Sequence, residues 1–433
     1  MGIPSTSCLV IHINWPKHNE LGRIPDACLE EAAGLALAVG LEISAKRIVA
    51  LRKPSPKTLI GKGTVTELSA EIRQHLNETQ KFLVIINSNL NPVQQQNLER
   101  TWNCKVIDRT GLILEIFAAR AKTREGILQV QLASLTYERS RLVRSWTHLE
   151  RQRGGLQFIG GPGETQIESD RRLLSARIRK IEKKIKGISR TRKLHRSSRK
   201  NIPSLIVALV GYTNAGKSTL FNKLTGASVS SSNQLFATLD PTMRKLKVPS
   251  KQSVILSDTV GFLSDLPHEL INAFHATLEE VKEADIILHI RDAAHPNSDA
   301  QYNDVLRVLK ELRVEKKPTI EIFNKIDLLE DKMILFNRVK RSDRATLAIS
   351  AKTGEGCENI LKMISKQFVC NETKFIYDIP ITNGAAVAWL YDRGAVSGYK
   401  NKRYSIQLTV NWDEIDAAQF EKKFGNFEAK LTH

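Results

Sequence analysis

LIVALVGYTNAGKSTLFNKL, residues 205–224, runs from an apolar segment, Leu205 to Val210, through Gly211, Tyr212, Thr213, Asn214, Ala215, Gly216, Lys217 and Ser218 into Thr219 and an amphipathic segment. A hydrophobic strand, a glycine-rich turn ending in Lys-Ser and a helix make the pattern of a phosphate-binding loop. The glycines are required because backbone N–H groups surround a phosphate only where no side chain blocks the approach, and the following helix adds its positive end. In such a loop Lys217 reaches the β- and γ-phosphates and Ser218 ligates Mg²⁺.

The sequence beyond the loop supplies the other parts of a nucleotide site. Residues 234–242, QLFATLDPT, form a polar segment able to close over a γ-phosphate, with Thr238 as a second hydroxyl for Mg²⁺. Ser253 to Ser257 reads as a strand ending in Asp258-Thr259-Val260-Gly261, forty-one residues beyond Lys217. Asp258 at that strand end would hold the Mg²⁺ shell, and Gly261 would offer its N–H to the γ-phosphate. A further apolar strand, Ile286 to Ile290, is expected to end before Arg291. Thr319 to Asp327 is a strand running into Asn324-Lys325-Ile326-Asp327. A carboxylate at Asp327 accepts hydrogen bonds from guanine N1 and N2, whereas adenine presents the wrong pattern. One charge-assisted bond of about 1.5–3 kcal/mol is worth one to two decades of selectivity. The nucleotide is therefore GTP. Ser350-Ala351-Lys352 follows another strand and matches a loop that supports the base through the Ala351 N–H, with Lys352 packed near it. After Asp258-Thr259-Val260-Gly261, where small signalling GTPases carry a water-orienting glutamine, stands Phe262, which has no hydrogen-bonding group. Weak basal turnover, raised by a macromolecular partner, is the expectation.

Upstream of the loop, Cys8 to Ile13, Arg47 to Leu51, Phe82 to Asn87 and Cys104 to Asp108 read as strands. Helical sequence lies between them at Ala27 to Val39, after Gly63 and at Pro92 to Thr101, and again at Leu112 to Ala119. That alternation predicts an α/β domain with a largely parallel sheet. Leu59-Ile60-Gly61-Lys62-Gly63 leaves two readings open, a turn that opens a helix or a second nucleotide contact. From Thr123 to about Leu149 apolar residues recur at helical spacing. Arg151, Arg153 and the glycine-rich run ending Gly161-Pro162-Gly163 then interrupt the helix. A second long helix opens near Glu164, and Leu174, Ile178, Ile181, Ile185 and Ile188 form a coiled-coil seam along it. Residues 171–200 hold fourteen Lys or Arg against one acid, Glu182, a balance of +13 that calls for a polyanionic partner. Arg179, Lys183 and Lys186 are candidate nucleic-acid contacts. The whole chain of 433 residues carries +19.

Residues 371–433 restart as β-α-β-β-α, with a terminal helix from Trp412 to Phe424 and with Trp389 and Trp412 read as core. The five cysteines lack metal-ligand or disulfide spacing, which fits a reducing cytoplasm, and no stretch has the length and apolarity of a membrane span. Nothing calls for an obligate protein partner. The expected architecture is multidomain α/β: an N-terminal α/β domain (1–120), a basic antiparallel helical hairpin (121–200), a P-loop G domain (201–369) and a small C-terminal α+β domain (370–433).

With Gly161-Pro162-Gly163-Glu164-Thr165-Gln166, Asp170-Arg171-Arg172, the loop at 211–218, residues 236–242 and Asp258 to Phe262 in hand, the chain resembles the HflX-type GTPases. The resemblance implies GTP-dependent binding to the large ribosomal subunit and its RNA near the peptidyl transferase centre, hydrolysis stimulated there, and splitting or rescue of stalled ribosomes under stress. In related GTPases an asparagine at the position of Asn214 ligates K⁺. Some members of the family are also associated with ATP binding and RNA unwinding in the N-terminal domain, so a secondary ATPase activity stays open. The resemblance also brings the glycine-rich hairpin tip, with Arg151, Arg153, Gly161 and Gly163, against ribosomal RNA; one departure stands out there, Gly160 in a place where the family usually has arginine. A GTP-switched RNA chaperone or ribosome assembly factor, and a nucleotide-dependent scaffold, are the competing readings.

Overall fold

The computed structural model describes residues 6–16, 21–78, 81–152, 162–199, 204–227, 236, 242–248, 253–264, 275–342, 344–369, 373–392, 396–412, 414–425, 427 and 429–432. These fall into two compact units, one within 1–247 and 253–357, the other within 248–252 and 358–433.

The first unit begins with β1 (Ser7–Asn14), α1 (Pro25–Ala38), β2 (Glu42–Ala50), α2 (Lys62–Glu78), β3 (Phe82–Asn87), α3 (Pro92–Trp102), β4 (Lys105–Asp108) and α4 (Arg109–Arg120). Its strands pair in the order β2-β1-β3-β4, all parallel. The period of two along β1 and β3 divides their side chains between two cores. Leu9, Ile11, Val84 and Ile86 meet Leu68, Ile72, Leu98 and Trp102 of α2 and α3. Cys8, Val10, Leu83 and Ile85 meet Leu29, Leu35, Ile113 and Phe117 of α1 and α4. A strand buried on both faces has to be apolar throughout, which is why FLVIIN is legible. Each fully buried Leu or Ile here stabilises by about 1.5–3 kcal/mol. Asn91 and Gln94 form a reciprocal capping box on α3, behind a proline at its first turn.

Two long helices follow, α5 (Arg124–Gln152) and α6 (Pro162–Arg199). Along α6, Ile178 is buried and Leu174, Ile181, Ile185 and Ile188 are half-buried, while Arg179, Lys183 and Lys186 are exposed. The helix starts at Pro162, two residues before the expected opening, because proline costs nothing at a first helical position. Gly163 lies in that first turn, and Arg151 in the last turn of α5. Arg153, Gly160 and Gly161 lie outside the described residues.

The remainder of this unit holds β5 (Ser204–Gly211), α7 (Lys217–Thr225), β6 (Thr242–Lys247), β7 (Ser253–Asp258), α8 (His275–Glu283), β8 (Ile286–Asp292), α9 (Ser298–Glu311), β9 (Thr319–Asn324), α10 (Lys332–Lys340) and β10 (Thr346–Ala348). The strand order is β10-β9-β8-β5-β7-β6, parallel except for β6 at one edge. From β5 the chain fills one side of the sheet and then returns to the other, so the loop after β5 sits where the strand order reverses, the ligand-binding position of such sheets. β8 runs two residues past its expected end. Arg291 stays inside it, buried, because Asp299 and Glu321 pair its guanidinium and the rings of Tyr302 and Phe323 flank it.

The second unit comprises α11 (Cys357–Val369), β11 (Thr373–Pro380), α12 (Gly384–Asp392), β12 (Val396–Asn401), β13 (Ser405–Trp412), α13 (Glu414–Phe424) and β14 (Ala429–Thr432). Its antiparallel sheet has the order β12-β13-β11-β14. Tyr377, Ile379, Leu390, Leu408 and Phe420 form the core, with Trp389 packed against it. Two details differ from the sequence reading. Trp412 ends β13 instead of starting the terminal helix, because it pairs with Thr373. A sixth element, β14, adds to β11; four residues are too few for periodicity to reveal.

Candidate functional site

The loop after β5 is shaped by two close approaches. Gly216 has φ 93°, the left-handed region, and a Cβ there would lie 2.2 Å from Nδ2 of Asn324, so only glycine fits. Gly261 carries a similar constraint: its Cβ would lie 2.8 Å from Cγ2 of Thr213 and 3.0 Å from Nζ of Lys217. Asn214 also adopts a left-handed backbone, φ 59°, and its side chain is exposed. Lys217 is buried at the first position of α7, and its ammonium donates to the carbonyls of Tyr212 (2.7 Å) and Gly211 (3.1 Å). Burial pushes the Lys217 pKa down to about 8; the Asp258 charge opposes this and the Lys325 charge adds to it. Ser218 Oγ donates to Asp258 Oδ2 at 2.8 Å. A hydroxyl and a fully buried carboxylate converging in this way fit a hard divalent cation that takes oxygen ligands. Thr219 follows, half-buried. Thr238 lies outside the described residues.

The segment after β7 is held to the loop by its backbone. The Phe262 N–H donates to Gly211 O (3.1 Å), the Thr213 N–H donates to Phe262 O (2.8 Å), and Thr259 Oγ1 donates to Leu209 O (2.6 Å). Gly261 is thereby laid across Thr213 and Lys217. The Phe262 ring is buried in an apolar cluster that includes Tyr212, Val260 and Leu263. Its position explains the residue type: the ring completes a core and does not face the phosphate side of the loop as a water-binding group would.

On the base side, Asn324 links two loops. Its Nδ2 donates to Ala215 O (2.8 Å), and its Oδ1 accepts from the Ala351 N–H (2.9 Å). The Ala351 amide, expected to support the base, bonds Asn324 here. Asp327 Oδ1 accepts from Ser350 Oγ at 2.6 Å, and Ser350 Oγ accepts in turn from the Thr353 N–H. Ser350 therefore orients the carboxylate. Lys325 has a left-handed backbone, φ 65°, and its ammonium pairs with Asp292 at 2.7 Å. Lys352 is exposed.

Residues that the sequence reading did not single out also reach this site. Glu31 Oε2 accepts from the Tyr212 hydroxyl (2.7 Å), and Arg109 donates to Glu31 Oε1 (2.5 Å) and to Ser264 Oγ (2.8 Å). Arg120 donates to Phe236 O (2.7 Å), and Phe117 meets the Phe236 ring edge-on at 4.6 Å. An acid and a base on two helices far apart in sequence carry no pattern; a charged residue in the otherwise uncharged first turn of α4 is the one available hint.

A doubly wound sheet with a phosphate-binding loop at its switch point, an Asp-x-x-Gly segment laid over that loop and an Asn-Lys-x-Asp turn at the neighbouring strand end defines a P-loop enzyme that hydrolyses GTP. Four family models match in order: GTP-binding GTPase N-terminal over residues 26–118, GTP-binding GTPase Middle Region over 120–199, 50S ribosome-binding GTPase over 206–325 and HflX C-terminal domain over 334–432. The GTPase HflX of Magnetococcus marinus is 49% identical over 86% of this chain and 85% of its own length. That of Escherichia coli is 40% identical over 90% of each. A GTP-binding protein from Sulfolobus solfataricus in complex with GDP aligns with a TM-score of 0.43 at 23% identity, covering 84% of this chain and 98% of that one. The chain belongs to the HflX family of GTPases, and its GTP hydrolysis is linked to ribosome function. Among the described residues no helix is long and apolar enough to cross a membrane.

Proposed function

We propose that this GTPase binds the large ribosomal subunit in its GTP form, hydrolyses GTP there and uses the cycle to split or rescue stalled ribosomes in the cytoplasm. Lys217 would hold the β- and γ-phosphates, assisted by the backbone N–H groups of residues 211–219. Asp327, oriented by Ser350, would read guanine, and Gly261 would donate its N–H to the γ-phosphate. The residues that would hold Mg²⁺ are Ser218 and Thr238, with Asp258 in its shell. That ion supplies charge neutralisation between the phosphates, and K⁺ beside Asn214 would add to it. The protein's own part is positioning: buried Lys217, the fixed Gly261 and the bridged base loops are set before substrate arrives.

The observation that carries the reading is the side chain of Asn324, which ties the phosphate loop to the Ser350-Ala351-Lys352 loop and so makes one rigid nucleotide cradle. The exposed Arg179, Lys183 and Lys186 of α6 would supply the RNA face, together with Arg151, Arg153, Gly161 and Gly163. The four segments 1–120, 121–200, 201–369 and 370–433 would act as ribosome-facing domain, RNA arm, switch and accessory domain.

Cosedimentation with isolated ribosomal subunits tests this. Binding to the large subunit with a nonhydrolysable GTP analogue and release with GDP is expected; indifference to nucleotide would refute it, and preference for immature particles would favour an assembly role. Neutralising Arg179, Lys183 and Lys186 should weaken binding and flatten its salt dependence.

A further inference from the structure

Three buried residues and the partly buried Glu31 close a ring across the edge of the nucleotide site. Arg109, at the first position of α4, donates to Glu31 on α1 and to Ser264 Oγ. Glu31 accepts from the Tyr212 hydroxyl, and that same hydroxyl accepts from the Ser264 N–H at 2.9 Å. Arg109, Tyr212 and Ser264 are each 5% exposed or less. Burial alone would push the Glu31 carboxyl up, but the Arg109 charge and the hydrogen bonds from Arg109 and Tyr212 overturn it and hold the group below the usual carboxylate range. Glu31 is thus a charged acceptor for both Arg109 and Tyr212.

The parts of this ring differ in what surrounds them. Tyr212 belongs to the phosphate loop, and its carbonyl is an acceptor for Lys217. Glu31 and Arg109 belong to the N-terminal sheet region, which is fastened to α9 as well. Arg23 donates to both carboxylate oxygens of Asp304 at 2.8 Å, and the Ile24 N–H donates to Asn297 Oδ1. Ser264 alone lies on the segment that follows Asp-x-x-Gly, three residues past Gly261 and therefore at most about 10 Å of chain away. With Asp258 fixed at the end of β7 and Ser264 fixed by the ring, the path of Gly261 between them is tightly restricted.

We propose that Arg109, supplied by the N-terminal region, is a positioning residue for GTP hydrolysis: with Glu31 and Tyr212 it anchors Ser264 and thereby sets the Gly261 N–H against the γ-phosphate. This rests on the reading of Gly261 given above. Because GDP has no γ-phosphate, the ring acts on hydrolysis and leaves GDP affinity alone, a split that general damage to the loop would not produce. Arg109→Lys keeps a cation beside Glu31 but removes the planar guanidinium whose Nη2 donates to both Glu31 and Ser264 while its Nη1 donates to Asn87. Tyr212→Phe removes one hydroxyl and keeps the buried ring.

The test is single-turnover GTP hydrolysis and fluorescent-GDP affinity on the full chain. Each variant should slow hydrolysis about tenfold with GDP affinity within twofold of the parent, and Ser264→Ala, which spares the backbone contacts, should show a smaller loss of the same kind. Hydrolysis within twofold of the parent in both Arg109→Lys and Tyr212→Phe overturns the proposal, as does faster hydrolysis or a parallel fall in GDP affinity. Gly261→Ala separates the layers. If it slows hydrolysis while the ring variants do not, the ring alone fails; if it too leaves hydrolysis unchanged, the role of Gly261 fails with it.

Discussion

At the ends of β3 and β4, Asn87 accepts from Arg109, and Asp108 accepts from the Gly111 N–H, the Tyr137 hydroxyl, Arg141 and the Leu90 N–H. At the ends of β5, β7 and β9 stand Gly211, Asp258 and Asn324, and around them glycines expose backbone while Lys217, Ser218 and Asp327 gather at one edge. Both are largely parallel sheets with helices packed on them, yet one engages its strand-end polar groups in fastening its own helices and the other leaves them where the proposed nucleotide site lies. Architecture alone therefore does not place a ligand; what the strand-end residues are bonded to does.

The contrast predicts that substitutions at the first set cost stability and those at the second cost ligand. Asp108→Ala should destabilise the protein by about 3 kcal/mol in denaturant unfolding, since it strands a buried helix N-terminus and a tyrosine hydroxyl, while the folded fraction binds GDP normally. A loss of nucleotide affinity in that fraction would break the comparison. Asp327→Ala should do the reverse, lowering the preference for GTP over ATP by about ten- to a hundredfold in competition binding with little change in unfolding.

The effect of pH comes next in size. Lys217 titrates near pH 8 in the fold and near 10.5 when exposed, and phosphate favours its protonated form. Nucleotide affinity should be flat below about pH 7 and fall through pH 8, by about tenfold at pH 9. Because the unfolded chain binds the extra proton between pH 8 and 10.5, this lysine makes the nucleotide-free protein more stable, not less, as pH rises across that window. Affinity and stability thus move in opposite directions, and a common slope would remove Lys217 as the cause.

The smallest effect sharpens the reading of Leu59 to Gly63. Thr58 Oγ1 donates to Ile60 O, and α2 opens at Lys62. A Cβ on Gly61 or Gly63 would meet nothing within 4 Å, so no close approach requires glycine there. This is the turn that opens a helix. Gly63→Ala should stabilise by about 0.5–1 kcal/mol through helix propensity and leave GTP hydrolysis unchanged.

Most of the site could be read from the chain because its chemistry is local. A phosphate loop needs its glycines, Lys217 and Ser218 within one turn, and a turn that reads guanine, the role proposed for Asn324 and Asp327, needs the two three residues apart. The strands were equally open to reading wherever both faces are buried, as in Phe82 to Asn87. The boundaries that moved were set by partners distant in sequence: β8 continues because Asp299 and Glu321 neutralise Arg291, and Trp412 stays in a strand because β11 lies beside it.

By itself, then, the amino-acid order determined the phosphate loop, the choice of guanine, the two long helices and the basic face of α6, since each is written in residues within a few turns of one another. Only the tertiary structure decided that Phe262 is a core residue, that Asn324 ties two loops together and that Glu31 and Arg109 reach Tyr212 and Ser264. Those bonds join residues up to 181 positions apart, and no periodicity or spacing along a chain encodes a contact that exists only once two sheets have packed together.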